Sequence, residues 1–365
     1  MTARDAMRGL QSSLFLLAIL VSAPLHAQST PATLPTADAF FTDPALGETR
    51  ALLVIQNGTP LYERYAPGYG PANRFISWSM AKSITSTLIG KLVTTNRLDL
   101  DAPAPVPAWR VKPGDPRAAI TLRQLLHMNS GLAHVETGPD PEKSDTNRAL
   151  FSDRSGDIAA AATMAPLESP PGTVFEYSTL TSHILSDIIT RTVAPDAKTP
   201  AARRRATNDF LKASLSGPAA MPTLLCEYDP QGTMLGGSLC HASLRDWGAF
   251  GQLYLSGGKV AGRQVVAPQW VEFVQTPTPV TAGYGGHFWL NRPVAEDEES
   301  ALFADQGPPD AYAAIGHLGQ YVIIVPSKAL VVVRLGFTPD DARAPLKVGL
   351  GRLVNSLPDV APPAP

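Results

Sequence analysis

Ser79 and Lys82, three residues apart, are the first pair in this chain of 365 residues whose types and spacing could do chemistry. A serine hydroxyl is a poor nucleophile at neutral pH and needs a neighbour to take its proton. On a helix, residues i and i+3 share one face with Cβ atoms about 5–6 Å apart, so the Lys82 amine can reach the Ser79 oxygen. A lysine serves as a base only where burial or nearby positive charge lowers its pKa. The surrounding run from Met80 to Ile89 is apolar or small, as a buried helix requires. The pattern is short, however, and it recurs at Ser256-Gly257-Gly258-Lys259, where paired glycines indicate a turn.

Two other places offer partners. One is Pro171-Gly172 followed by Phe175-Glu176-Tyr177-Ser178-Thr179. The other is Gly316-His317-Leu318-Gly319-Gln320, which opens a β-branched run to Pro326. Competing chemistries leave no trace. There is no Gly-x-Ser-x-Gly elbow, no His-Glu-x-x-His pair and no phosphate-cradling glycine loop. The seven histidines show no metal-ligand spacing, so no metal and no cofactor are expected. A net charge of −2 carries no basic excess, which argues against a nucleic-acid partner.

The elements that must position these residues follow from periodicity. Residues 51–56 and 61–66 flank Asn57-Gly58 and read as a hairpin. A helix from Ser79 to about Thr94 follows. Thr121 to Gly131 reads as a short capped helix, and 133–155 as polar and irregular. Helices are expected at 157–165, 181–193, 200–215, 245–255 and 268–274. Strand-like runs at 284–290, 311–315, 320–326 and 330–335 precede a closing helix near 341–356. Strands at both ends with helices between them predict an α/β domain built from both termini, carrying a helical insertion.

With several motifs in order, the chain resembles the penicillin-recognising serine hydrolases: class C β-lactamases, D,D-peptidases, related esterases and 6-aminohexanoate-oligomer hydrolases. The anchors are Ser79-Met80-Ala81-Lys82-Ser83, Ile120 to Leu132, Pro171-Gly172 with Tyr177-Ser178, Gly236-Gly237-Ser238 with Leu244-Arg245-Asp246, and Gly316 to Pro326. The resemblance implies a β-lactamase-like α/β (α+β) fold, an antiparallel sheet flanked by helices with an inserted, mostly helical domain. It implies Ser79, Lys82 and Tyr177 as catalytic residues, and the backbone N–H groups of Ser79 and Gln320 as an oxyanion hole. His317, Gly319, Thr179 and Asp145 are the implied substrate-binding positions. Trp78 before the serine and the loop Pro139 to Asp145 look most like the 6-aminohexanoate branch, in which Asp145 would meet a cationic amine; the alternative is a loop aspartate that faces water or caps a turn.

Departures from the family pattern bear on the substrate. Thr179 stands where an asparagine amide is usual, and a threonine reaches less far. His317-Leu318-Gly319 stands for Lys-Thr-Gly, which removes a permanent cation and a hydroxyl. Both changes weaken the case for a β-lactam or peptide carboxylate. The expected activity is hydrolysis of small amide or ester substrates. A D,D-peptidase or β-lactamase is the alternative, and a non-catalytic binding protein on the same fold is the rival of another class.

The expected organisation is a signal peptide at 1–27, a lead-in arm at 28–48, an α/β domain from 49–76 and 280–357, a helical domain at 77–279, and a disordered tail at 358–365. Arg4, Arg8 and the apolar run Leu14 to Val21 carry the signal reading. That run is well short of the ~20 residues that span a bilayer, so a periplasmic or secreted protein without a stable membrane anchor is expected. Cys226 and Cys240 either pair across a short loop or remain two buried thiols. Nothing in the sequence fixes an oligomeric state.

Overall fold

Alternation along the first strand sets the architecture. Ala51, Leu53 and Ile55 enter one apolar cluster, whereas Leu52 and Val54 enter another on the opposite face. A strand with both faces buried must be covered on both sides. The computed structural model describes residues 34–138, 140–152, 156–295, 300–303 and 306–360. The expected signal segment, the start of the lead-in arm, Pro139 and the end of the tail lie outside the described residues.

The sheet has six antiparallel strands: β1 (Glu48–Gln56), β2 (Thr59–Tyr65), β3 (Trp289–Leu290), β4 (Tyr312–Gly316), β5 (Gln320–Val325) and β6 (Leu330–Phe337). Their order is β2-β1-β6-β5-β4-β3, so the strand from the first part of the chain pairs with the last. Asn57 and Gly58 both take positive φ in the β1–β2 turn, as an Asn-Gly hairpin requires. The helices used below are α1 (Pro35–Thr42), α2 (Ala81–Thr94), α3 (Leu122–Leu126), α4 (Thr179–Val193), α5 (Leu244–Leu255) and α6 (Arg343–Asn355). This is the β-lactamase-like α/β architecture expected from the sequence.

On the outer face, Phe40 of α1 and Leu346, Leu350 and Leu353 of α6 cover Leu52, Val54, Ile323 and Val332. The lead-in arm thus contains a helix docked on the sheet. On the inner face α5 lies close against the strands. A Cβ on Gly248 would sit 2.6 Å from Leu53 Cδ2, and one on Gly251 would sit 2.5 Å from Val331 Cγ1. These two glycines, one turn apart, let the helix approach where a larger residue would overpack the core.

Three sequence expectations change in detail. The run 284–290 yields only Trp289–Leu290 as strand, because His287 adopts φ +67° and the Gly285 N–H turns back to the Phe288 carbonyl. The irregular stretch 133–155 contains a helix, Asp145–Phe151, capped by Ser144. The helix expected from 200 to 215 is α-helical only to Leu211 and then widens into a π turn. Cys226 and Cys240 face each other on adjacent antiparallel strands and form a disulfide.

Candidate active site

Ser79 lies in a short 3₁₀ turn, Trp78–Met80, at the head of α2. Trp78 adopts φ +43°, a left-handed conformation that costs energy for a bulky residue and is held only by its surroundings. Those surroundings are identifiable. The Ser77 N–H donates to the Cys240 carbonyl at 2.7 Å, and the Cys240 N–H donates to Ser77 Oγ at 3.0 Å. The disulfide-bonded strand pair therefore braces the segment just before Ser79.

Strand β4 approaches the same segment from the other side. A Cβ on Gly316 would lie 2.1 Å from the Ser77 carbonyl oxygen, so only glycine permits the contact. The turn after it, with Leu318 at φ +59° and Gly319 at φ +79°, brings Gln320 to the start of β5. His317 meets the Trp78 ring edge-on at 5.5 Å between centroids. Burial holds the His317 imidazole below its usual pKa, so it is neutral near pH 7.

Lys82 is buried, with 1% of its surface exposed. Its Nζ donates to Ser79 Oγ at 3.0 Å, Thr179 Oγ1 at 2.7 Å and the Gly237 carbonyl at 2.8 Å. It also lies 4.7 Å from the centre of the Tyr177 ring. Burial pulls its pKa down to about 8, opposed by the negative charge of Glu136. Burial keeps Tyr177 a neutral phenol well above pH 10. Its ring stacks on Trp289 at 5.2 Å and stands just before Ser178, which caps α4. Ser79, Lys82 and Tyr177, distant in sequence, are brought together.

Two of the expected substrate-binding residues bond within the protein. Thr179 is turned inward, and its hydroxyl joins Lys82 to the Glu136 carboxylate. Asp145 accepts from the Val135 N–H at 3.0 Å and lies 3.9 Å from His134 Nδ1. Glu136 was not singled out in the sequence. Its only signal is its place, four residues after Leu132 in a stretch with several other acidic residues.

The helices around the site are tied by a third buried polar group. His287 Nδ1–H donates to the Leu126 carbonyl at 2.8 Å, its Nε2 accepts from Ser182 at 3.0 Å, and its own carbonyl accepts from Ser83 at 2.8 Å. It thereby joins α3, α4 and α2, and burial lowers its pKa to about 3. Among the described residues, no group of three or more His, Cys, Asp and Glu could hold a metal ion, and no helix is long and apolar enough to cross a membrane.

A family model for β-lactamases matches residues 48–343. The chain belongs to the β-lactamase family. Within that family it is 28% identical over 236 residues to the 6-aminohexanoate-dimer hydrolase of Paenarthrobacter ureafaciens, covering 62% of this chain. The chain spans 57% of that relative's length. A provisionally named 6-aminohexanoate-dimer hydrolase from Bacillus anthracis shares the fold, with a TM-score of 0.66, 20% identity, and coverage of 88% of this chain and 83% of the other. A family VIII carboxylesterase does so with a TM-score of 0.63, 14% identity, and coverage of 88% and 96%. The similarities thus run in sequence to a 6-aminohexanoate-dimer hydrolase and in fold to a carboxylesterase.

Proposed function

We propose that this protein is an exported serine hydrolase that forms an acyl-enzyme on Ser79 and cleaves ester or amide bonds of small substrates. The observation that carries the reading is the convergence on Lys82 Nζ of Ser79 Oγ at 3.0 Å and the Tyr177 ring, whose centre lies 4.7 Å away. Ser79 Oγ attacks the carbonyl carbon and its proton passes to the neutral form of Lys82. Backbone N–H groups of Ser79 and Gln320 receive the oxyanion; donors of this kind are worth about 3–4 kcal/mol each. Tyr177, kept protonated by burial, gives its proton to the leaving oxygen or nitrogen, and the proton taken by Lys82 restores it. Water then attacks the acyl carbon, surrenders a proton along the same route, and frees Ser79.

A neutral His317 and an apolar Leu318 at the strand edge support an uncharged substrate over one anchored by a carboxylate. The basic and apolar N-terminal pattern and the Cys226–Cys240 disulfide support export, since such bonds persist in oxidising compartments. The test uses the chain without residues 1–27 and its Ser79→Ala variant against p-nitrophenyl esters, nitrocefin and a linear amide. Ester turnover with stoichiometric fluorophosphonate labelling, both lost in the variant, is the expected result. Absence of labelling would overturn the reading, and rapid nitrocefin turnover would move the substrate class to β-lactams.

A further inference from the structure

Behind the lysine lies a carboxylate that the mechanism above does not use. Glu136 Oε1 accepts the Thr179 hydroxyl proton at 2.5 Å. Its Oε2 accepts from the Thr179 N–H at 2.7 Å and Thr146 Oγ1 at 2.9 Å, and faces His134 Nε2 at 2.6 Å. Only 22% of its side chain is exposed. Burial alone would raise its pKa, but Lys82, His134 and Thr179 outweigh that and hold it near about 2. It is a carboxylate at every working pH, so it can only accept.

That fact decides where every proton on Thr179 and Lys82 points. The Thr179 hydroxyl has one hydrogen, and Glu136 takes it. Its oxygen can therefore only accept from Lys82. The Gly237 carbonyl can likewise only accept. When Lys82 is neutral it has two N–H bonds and one lone pair, and its partners are Thr179 Oγ1, Gly237 O and Ser79 Oγ. Two of the three accept only, so both N–H bonds go to them. The lone pair is left facing Ser79, the single partner with a proton to give.

We propose that Glu136 is a positioning residue for the proton transfer: by fixing the direction of the Thr179 hydroxyl, it aims the Lys82 lone pair at Ser79. Thr179, which stands where the family usually has an amide, is the relay. The inference rests on Ser79 being the acylated residue. The other titratable groups facing Lys82 are Tyr177, a neutral phenol, and His183 and His287, whose pKa values burial lowers to about 3. Glu136 is the one of these that carries charge at pH 7, and His134 stands behind it.

Glu136→Gln tests the geometry. Three donors crowd the Oε2 position, so the glutamine oxygen sits there and its NH₂ faces Thr179. The Thr179 hydroxyl must then reverse and donate to the Lys82 lone pair, in competition with Ser79. On a fluorophosphonate-labelling assay at high pH, the rate should fall about 10- to 100-fold, a part of the roughly 10²–10⁴-fold that a well-placed general base contributes. The acid-side midpoint of the pH profile should move below that of the parent enzyme, because the charge favouring protonated Lys82 is gone. Adding Thr179→Val to Glu136→Gln removes the competing hydroxyl and should recover part of the loss. Urea unfolding of each variant checks that the fold survives. An unmoved pH midpoint together with strictly additive losses would overturn the proposal while leaving Ser79 acylation intact. No labelling of the parent at any pH would instead remove the functional reading beneath it.

Discussion

The two walls of the site are built on opposite principles. On the helix wall, the buried Lys82 and the part-buried Glu136 are charges of opposite sign joined through Thr179, and each hydrogen has a defined destination. On the strand wall, the buried charge faces away from the site. Arg334 is fully buried and donates to the Gly319 carbonyl at 2.8 Å, the Glu48 carbonyl at 2.9 Å and Thr49 Oγ1 at 3.0 Å. Burial lowers its pKa to about 10, so it stays a cation at neutral pH. Gln320 adds a two-way bond to Gly336, with its Nε2 donating to the carbonyl at 2.7 Å and its Oε1 accepting the N–H at 3.0 Å. On the proposed mechanism, one wall moves protons, while the other holds a turn still and shows the substrate an uncharged face. Reactivity and selectivity are thereby separable.

The sharpest way to break that separation is to attack each wall alone. Lys82→Ala should lower kcat/KM for a neutral ester by about 10³-fold, the scale of a lost general base, with KM within about twofold. A comparable rise in KM would show that the helix wall also binds substrate. Next in size, Arg334→Met strands buried carbonyls and should cost about 2–4 kcal/mol of stability in urea titrations. Its kcat should fall as the Gln320 N–H loses its seat, while the pH midpoint of the remaining activity stays put. A shifted midpoint would mean that the walls are electrostatically coupled.

Acid tests the helix wall in another way. His183 and His287 have pKa values near about 3, and His127 near about 4, all lowered by burial first. Unfolded histidines titrate near pH 6.5, so on acidification the unfolded chain takes up protons first. Stability is therefore complete above about pH 6.5 and declines as pH falls toward 4, by at most about 1.4 kcal/mol per pH unit for each histidine. A urea midpoint flat between pH 7 and 5 would show that these histidines protonate in place. The smallest effect is expected at the strand edge. His317→Lys restores a cation and should improve kcat/KM for a carboxylate-bearing ester about tenfold, with a neutral ester changed by less than about twofold.

How much of this was legible depended on what each residue answers to. Ser79, Lys82 and Tyr177 sit in short local patterns, because a helix face or a helix start fixes their geometry. The strands, too, followed from β-branched runs, since each inner strand is buried on both faces. Glu136 and Arg334 were invisible as partners because their significance lies entirely in what folds against them. Thr179 reads from sequence as a shortened substrate contact; its bonds to Lys82 and Glu136 are hidden there, since a sequence does not say which way a hydroxyl points. The strand expected at 284–290 shortened because His287 leaves the ladder to join three helices, a demand that comes from tertiary contacts.

The strand pair behind Ser77 has one further consequence. Between Cys226 and Cys240 the backbone is a closed ring, with Pro230-Gln231 exposed at its far side. A protease that cuts there leaves both fragments joined. The nicked protein should migrate as one band on a denaturing gel without reductant and as two with it. The Gly237 carbonyl would keep its tether to Cys240 on one side of the cut, so the chain can be severed in the middle without releasing its lysine.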